Sequence, residues 1–247
     1  MKRLVILSGP SCVGKTPLFI ALSTFYPHLA GRLVKVVPYN SRDPRPGEQD
    51  GVDYHFRPRE VIEDLFGTPG YICADVRGDL HAVEIESIKK ILSRGKDAFF
   101  EGNPYVAAGL IASEQLQAIP TLKVFLSPLS KDEIQDLKNP ANRPGLEKTV
   151  TDMMRRKLLR RTGTQKTRLS PGDRENIETR AGSAFTELRE GWKYDFVIPN
   201  HDGEDSEHWD AFHHPIGDAR RALVAFAALL TGGTSYPAER WEKDLVP

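Results

Sequence analysis

The chain has 247 residues, 34 Lys and Arg against 34 Asp and Glu, a formal net charge of zero and 39% hydrophobic residues. That length suits one large α/β domain, or a core with inserted lobes, and the apolar content is enough for a real interior. Zero net charge gives no general pull toward nucleic acid or membrane, and the 2 cysteines are too few for a disulfide framework or a zinc site. The apolar run after Met1-Lys2-Arg3 is too short for a signal peptide, and the stretch from Ala222 to Leu230 is too short to span a bilayer. A cytoplasmic chain is expected, with Cys12 and Cys73 as free thiols.

Leu4-Val5-Ile6-Leu7 reads as a buried strand, and Leu18-Phe19-Ile20-Ala21-Leu22 as a helix with a buried face. Between them, Gly9-Pro10-Ser11-Cys12-Val13-Gly14-Lys15-Thr16 has the spacing of a P-loop. In such a loop the backbone N–H groups of Gly9, Ser11, Cys12, Val13 and Gly14 wrap a polyphosphate. Lys15 reaches the outer phosphates, and the Thr16 hydroxyl can hold Mg²⁺. Pro17 departs from the usual pattern: it is tolerated in a first helical turn but removes one N–H donor.

Further along, Leu33 to Val37 reads as a second strand, and residues 38–81 turn rich in Pro, Gly, Arg and Asp, with a short helix near Arg59–Phe66. Helix is expected over 84–94, and strands over Asp97–Glu101, Thr121–Leu126 and Tyr194–Ile198. Residues 131–191 read as charged helices broken by Pro140, Pro144 and Pro171, and residues 201–215 as a polar, His-rich loop. An amphipathic helix from Asp218 to Leu230 follows, then a tail expected to be loose after Gly232. Strands alternating with helices predict a parallel sheet, with ligands at the carboxyl ends of its strands.

Two further patterns carry chemistry. Ser41-Arg42-Asp43-Pro44-Arg45-Pro46-Gly47-Glu48, continuing through Asp53-Tyr54-His55-Phe56, sets two arginines three residues apart in a Pro-stiffened stretch. That is a fork for a phosphate, with a Tyr hydroxyl as an added donor. From Arg155 to Arg168 the chain carries seven basic residues and no acid, which reads as a solvated helix face, an RNA contact or a mobile cationic lid. His208, His213 and His214 lack metal-ligand spacing and read as surface histidines, with Trp209 and Phe212 pinning their loop to the body.

Taken together, the P-loop and the Arg42–Phe56 segment resemble the guanylate kinase family, well over residues 4–126 and again at Val197-Ile198-Pro199-Asn200. The resemblance implies ATP on the P-loop and Mg²⁺ as cofactor. It implies a monophosphate acceptor, GMP first, on Arg42, Arg45, Glu48 and Tyr54, with His81 near a further phosphate contact. Glu101 takes the place of the family's strand-end Asp near Mg²⁺, and Arg161 and Arg180 best match its lid arginines. The guanine-reading positions differ: Pro38, Cys73 (or Ala74, or Asp75) and Asn103 stand there. Asp75 could substitute for the family's Glu and Asn103 could bond a base, or backbone groups could take over those contacts. A different nucleotide or sugar phosphate as acceptor, and a non-catalytic phospho-ligand module, are the alternatives; the intact Lys15 and Thr16 argue against the module.

The expected architecture is a three-layer α/β P-loop kinase fold. Its core is 1–37, 83–130 and 192–231, with an acceptor-binding lobe at 38–82, a helical lid at 131–191 and a tail at 232–247. It is expected to act as a monomer or homodimer on a phosphorylated small molecule, with no role for a membrane and nucleic acid disfavoured.

Overall fold

Apolar runs and helix caps account for most of the elements in the computed structural model, which describes residues 2–45, 47–139, 141 and 144–247. Met1, Pro46, Pro140, Asn142 and Arg143 lie outside the described residues. In chain order the elements are β1 (Leu4–Ser8), α1 (Lys15–Phe25), α2 (Pro27–Ala30), β2 (Leu33–Lys35), β3 (Tyr39–Asn40), β4 (His55–Phe56) and α3 (Arg59–Glu63). Then come β5 (Tyr71–Val76), β6 (Asp79–Glu84), α4 (Ile85–Ser93), β7 (Asp97–Gly102), α5 (Pro104–Ala112), β8 (Thr121–Ser127) and α6 (Lys131–Leu137). The chain finishes with α7 (Leu146–Gln165), α8 (Pro171–Leu188), β9 (Phe196–Pro199) and α9 (Gly217–Leu230).

These elements divide into two compact units: Met1–Leu7 with Arg32–Leu122, and Ser8–Gly31 with Lys123–Pro247. In the first, β2 pairs in parallel with β7, Leu33 opposite Asp97 and Lys35 opposite Phe99. β7 is buried from Asp97 to Phe100, as a strand covered on both faces must be. A second, four-stranded sheet runs β4-β3-β6-β5. Its hairpin β5–β6 was not legible as strands in a segment rich in Gly and Asp. Its inner face packs Ile62 of α3 with Leu80, Ala82, Tyr39, Tyr71 and Cys73. The turn is made by Arg77 and Gly78, both at positive φ (61° and 90°).

In the second unit β8 and β9 pair in parallel, Val124 opposite Phe196 and Ser127 opposite Pro199. Two helices of the predicted lid begin in capping boxes, Ser130 with Glu133 for α6 and Ser170 with Asp173 for α8. Lys166 closes the α7–α8 connection by pairing with Asp173 at 2.6 Å. The tail is not loose. Glu239 forms an antiparallel bridge with Val197, and Trp241, Leu245 and Val246 are buried. Burial of three large apolar side chains outweighs the polar composition that made this segment read as coil. Among the described residues no helix is long and apolar enough to cross a membrane.

Candidate active site

The P-loop lies in the second unit. Its shape follows from three residues at positive φ: Gly9 (147°), Cys12 (65°) and Gly14 (102°). Glycine is required at two of them for space as well as torsion. A Cβ on Gly9 would lie 2.3 Å from the Leu126 carbonyl oxygen, and one on Gly14 2.6 Å from Asn200 Nδ2. Asn200 Nδ2 donates to the carbonyls of Val13 (2.8 Å) and Asp202 (2.6 Å), so the end of β9 braces the loop. Lys15 is buried, and its Nζ donates to the carbonyls of Gly9 and Pro10, both at 2.8 Å. The loop thus curls around its own lysine. Pro17 is the third residue of α1, and the helix ladder starts after it with Leu18 N–H donating to Gly14 O at 3.1 Å. The missing Pro17 N–H therefore costs the helix nothing.

Residues 202–206, which the sequence reading left as plain loop, supply acids beside this motif. Gly203 comes so close that a Cβ there would lie 2.3 Å from the Cys12 carbonyl oxygen. Next to it, Arg161 pairs with Glu204 at 2.6 Å, with the two side chains 27% and 10% exposed. Asp205 lies 3.8 Å from both Lys157 and Arg160, and Lys157 Nζ also donates to the His201 carbonyl. Burial, with Glu204 and Asp205 adding to it against Arg161 and Arg180, pushes the Cys12 thiol up to about 12. Arg161 and Arg180 therefore both act on the P-loop electrostatically, and Cys12 stays a protonated, inert thiol. Five of the seven basic residues of the run face acids that lie outside it. Arg155 pairs with Asp152 and Glu178, and Lys157, Arg160, Arg161 and Lys166 each face an acid.

The histidines separate by role. Asp202 orders the loop by accepting from Ser206 Oγ (2.9 Å), His208 Nδ1 (3.0 Å) and Ala219 N (2.9 Å). His213 and His214 pack against Phe25. Trp209 Nε1 donates to the carbonyls of Asp202 and Gly203 and does pin the loop, whereas Phe212 is 64% exposed and does not. The functional signal in Arg42–Phe56 belongs to the first unit. Arg42 donates from Nη1 to Glu48 Oε2 and Asp43 O, and from Nη2 to Glu48 Oε1, at 2.7, 2.8 and 2.7 Å. Glu48 also accepts from Arg45 N at 2.8 Å. The end-on edge of the guanidinium is thereby spent on Glu48, while the Nε–H and second Nη2–H of its side edge make no hydrogen bond among the described residues. The Arg42 guanidinium lies over the rings of Tyr54 (5.2 Å) and Phe56 (5.5 Å). Burial opposes its charge, but the Glu48 bonds outweigh that and raise its pKa. Glu48 is likewise held below its ordinary value: burial works against it, and Arg42 and the Arg45 N–H win. Burial raises the Tyr54 pKa against Arg42 and Arg45, so its hydroxyl remains a donor.

Strand register decides the remaining positions. His81 lies opposite Asn40 on one side and Ala74 on the other, so these three share a face, with Tyr54 edge-on to His81 at 5.8 Å. Val83 and its partner Ile72 share that face too. Cys73 pairs with Ala82, and Asp75 with Leu80, on the opposite face against α3. Asp75 caps the hairpin turn, accepting from Gly78 N at 2.7 Å. Asp75, expected to contact the base, therefore stands on the face opposite His81, and the β5 residues beside His81 are Ile72 and Ala74. Ile72 is engaged with α5, where a Cβ on Gly109 would meet it at 2.4 Å. Asn103 caps α5, its Oδ1 accepting from Tyr105 N at 2.8 Å. Glu101 ends β7 within electrostatic reach of Tyr54. Sequence reasoning missed Asn40, which is fully buried and bonds both Arg42 N (3.1 Å) and His81 Nε2 (3.3 Å). A buried amide two residues before an arginine fork was the available signal.

Comparison with known proteins adds to this geometry. A family model described as guanylate kinase matches residues 1–159. The guanylate kinase of Nitratidesulfovibrio vulgaris (strain Hildenborough) is 31% identical over 202 residues, 81% of this chain and 80% of that one. That of Synechococcus sp. (strain JA-3-3Ab) is 36% identical over 134 residues, 54% of this chain and 58% of its own. In fold, the chain is similar to the crystal structure of guanylate kinase from Anaplasma phagocytophilum. The TM-score is 0.54 at 17% identity, covering 94% of this chain and 85% of that one.

Proposed function

The chain belongs to the guanylate kinase family, and on that premise we propose that it transfers the γ-phosphoryl group of ATP to GMP. The observation that carries the acceptor half is the Arg42 guanidinium. One edge is locked bidentately on Glu48, and the other presents two parallel N–H groups above Tyr54. That edge matches two oxygens of a phosphate monoester. In this reading residues 38–82 form the acceptor-binding lobe, with Arg42, Arg45, Tyr54 and His81 on the phosphate and Glu48 aligning Arg42. Asp75 has no part in it.

The donor half belongs to the P-loop. The N–H groups of Gly9, Ser11, Cys12, Val13 and Gly14 and the Lys15 ammonium take the ATP phosphates, and Lys15 leaves the Gly9 and Pro10 carbonyls to do so. Residues 131–191 act as the lid, from which Arg161 and Arg180 neutralise the charge that spreads over the transferring phosphoryl oxygens. Such a transition state asks for cations and dryness rather than a strong base.

A divalent cation fits the donor set. In this reading the Thr16 hydroxyl and the Glu101 carboxylate are the hard oxygen donors for Mg²⁺, a cation that keeps its waters and rides on phosphate oxygens. When bound, Mg²⁺ supplies charge neutralisation on the ATP phosphates.

An ADP-release assay with Mg-ATP tests the reading against GMP, AMP, CMP, UMP and sugar phosphates. Turnover with GMP above the rest is expected. Turnover with another acceptor would make the apolar Ile72–Ala74–Val83 face a change of substrate. No turnover with any of them would refute the kinase assignment.

A further inference from the structure

Asn40 and His81 meet inside the first unit, 41 residues apart in sequence, and their hydrogen bonds determine where the His81 proton sits. The Arg42 N–H can only donate, so the atom of Asn40 facing it at 3.1 Å must be the amide oxygen. The Asn40 nitrogen then faces His81 Nε2 at 3.3 Å, and that nitrogen also carries only donors. His81 Nε2 must therefore accept. An imidazolium, or the neutral ring protonated at Nε2, would set N–H against N–H. The neutral ring with its proton on Nδ1 is the form that satisfies both bonds.

The surroundings act in the same sense. His81 is 8% exposed, and Arg77, Arg42 and Arg45 all bear on it. Burial first, then those three guanidinium groups, bring its pKa down to about 3. Tyr54 meets the ring edge-on, and the Glu48 carboxylate facing this cluster is taken up by Arg42 and the Arg45 N–H. Nδ1 makes no hydrogen bond among the described residues. This donor has no protein acceptor among the described residues, is not itself fully buried and lies beside two arginines, so the one open point of an otherwise buried ring can meet an oxygen from outside the protein.

We propose that Asn40 is a positioning residue that fixes His81 in its neutral Nδ1–H form, so that His81 donates to an oxygen of the acceptor phosphate. The inference rests on the acceptor assignment given above. The arginines provide the charge; His81 provides a hydrogen bond whose direction and protonation do not vary across the neutral pH range.

Asn40→Asp is the informative variant. One carboxylate oxygen still accepts from Arg42 N, but the other now faces His81 Nε2 as an acceptor. The ring must then protonate Nε2, and a carboxylate neighbour raises its pKa. At low pH both ring nitrogens carry protons and the Nδ1 donor persists. Above the new pKa the Nε2–H form leaves a lone pair at Nδ1 pointing at an anion.

The test uses the full chain labelled with ¹⁵N-histidine and GMP as the probe. In the wild type, imidazole ¹⁵N spectra should show His81 neutral and protonated at Nδ1 from about pH 5 to 8, with the Nδ1–H signal shifting when GMP binds. In Asn40→Asp, the ratio of variant to wild-type KM for GMP should climb about tenfold from about pH 6 to 8.5, with kcat little changed. A merely structural loss would raise that ratio equally at every pH. A wild-type ring protonated at Nε2, or a ratio flat with pH, overturns the inference. The spectra of the wild type decide the tautomer even if the variant fails to fold. If that tautomer is seen but GMP neither binds nor turns over, the acceptor assignment fails, and the donor role of His81 with it.

Discussion

Arg42→Lys separates the two edges of the guanidinium. Arginine meets Glu48 with one edge through two bonds of 2.7 Å and offers the other to an incoming phosphate. A lysine ammonium is a point donor and cannot serve both partners in fixed geometry. Glu48 is the nearer anion, and its side chain is only 21% exposed, so the ammonium should stay with it. The phosphate then loses a bidentate, charge-assisted contact worth about 3 kcal/mol, or roughly 10²-fold in the acceptor's kcat/KM. Because the carboxylate keeps a partner, stability should fall by only about 1 kcal/mol. The assay is ADP release at saturating Mg-ATP with GMP varied, then the reverse. The KM for Mg-ATP should stay within about twofold, since the P-loop is untouched. A change of less than about threefold for GMP would show that the free edge is not the phosphate seat. An equal loss for both substrates would refute the division into acceptor and donor halves.

Lys15→Ala should abolish turnover while leaving calorimetric GMP binding intact; retained turnover would remove Lys15 from the chemistry. Gly14→Ala forces a side chain onto a residue at φ 102° and 2.6 Å from Asn200 Nδ2. It should cost about 2 kcal/mol, or about 4–8 °C in Tm, and a drop under about 2 °C would contradict the bracing role of Asn200. His201 bridges Glu133 (2.9 Å) and Asp218 (2.5 Å), and those partners, Glu133 first and against burial, raise its pKa to about 9. Glu133 falls correspondingly to about 2: burial opposes the shift, and His201 with the Ser130 N–H prevails. The bridge stabilises fully between the ordinary pKa values, about pH 4.5 to 6.5. It fades as pH rises through about 9 or falls through about 2. Screened at this half-exposed site, it should contribute about 1 kcal/mol, so His201→Gln should lower Tm by about 2–4 °C at pH 6 and hardly at all above pH 10. An equal drop at both pH values would show that the loss is packing rather than charge.

Much of the donor half was readable from sequence because a P-loop is a contiguous device. Strand, glycines, lysine and helix lie within a few residues of one another, and local torsions alone bring the amides to one point. The fork of Arg42 and Arg45 is local in the same way, three residues apart and stiffened by Pro44, whereas the bidentate pairing of Arg42 with Glu48 came from the structure.

Tertiary structure decided what depends on register and on distant partners. The hairpin β5–β6 places Ile72 and Ala74 beside His81 and turns Cys73 and Asp75 to the other face. A shift of one residue would reverse that assignment, and no composition or spacing within the segment determines it. The Asn40–His81 bond, the Arg161–Glu204 pair and the bridge from Glu239 to Val197 each join residues more than forty positions apart. Side-chain periodicity states which face of an element is apolar. Only packing states which other element that face will meet, and so which polar group is left inside without a partner.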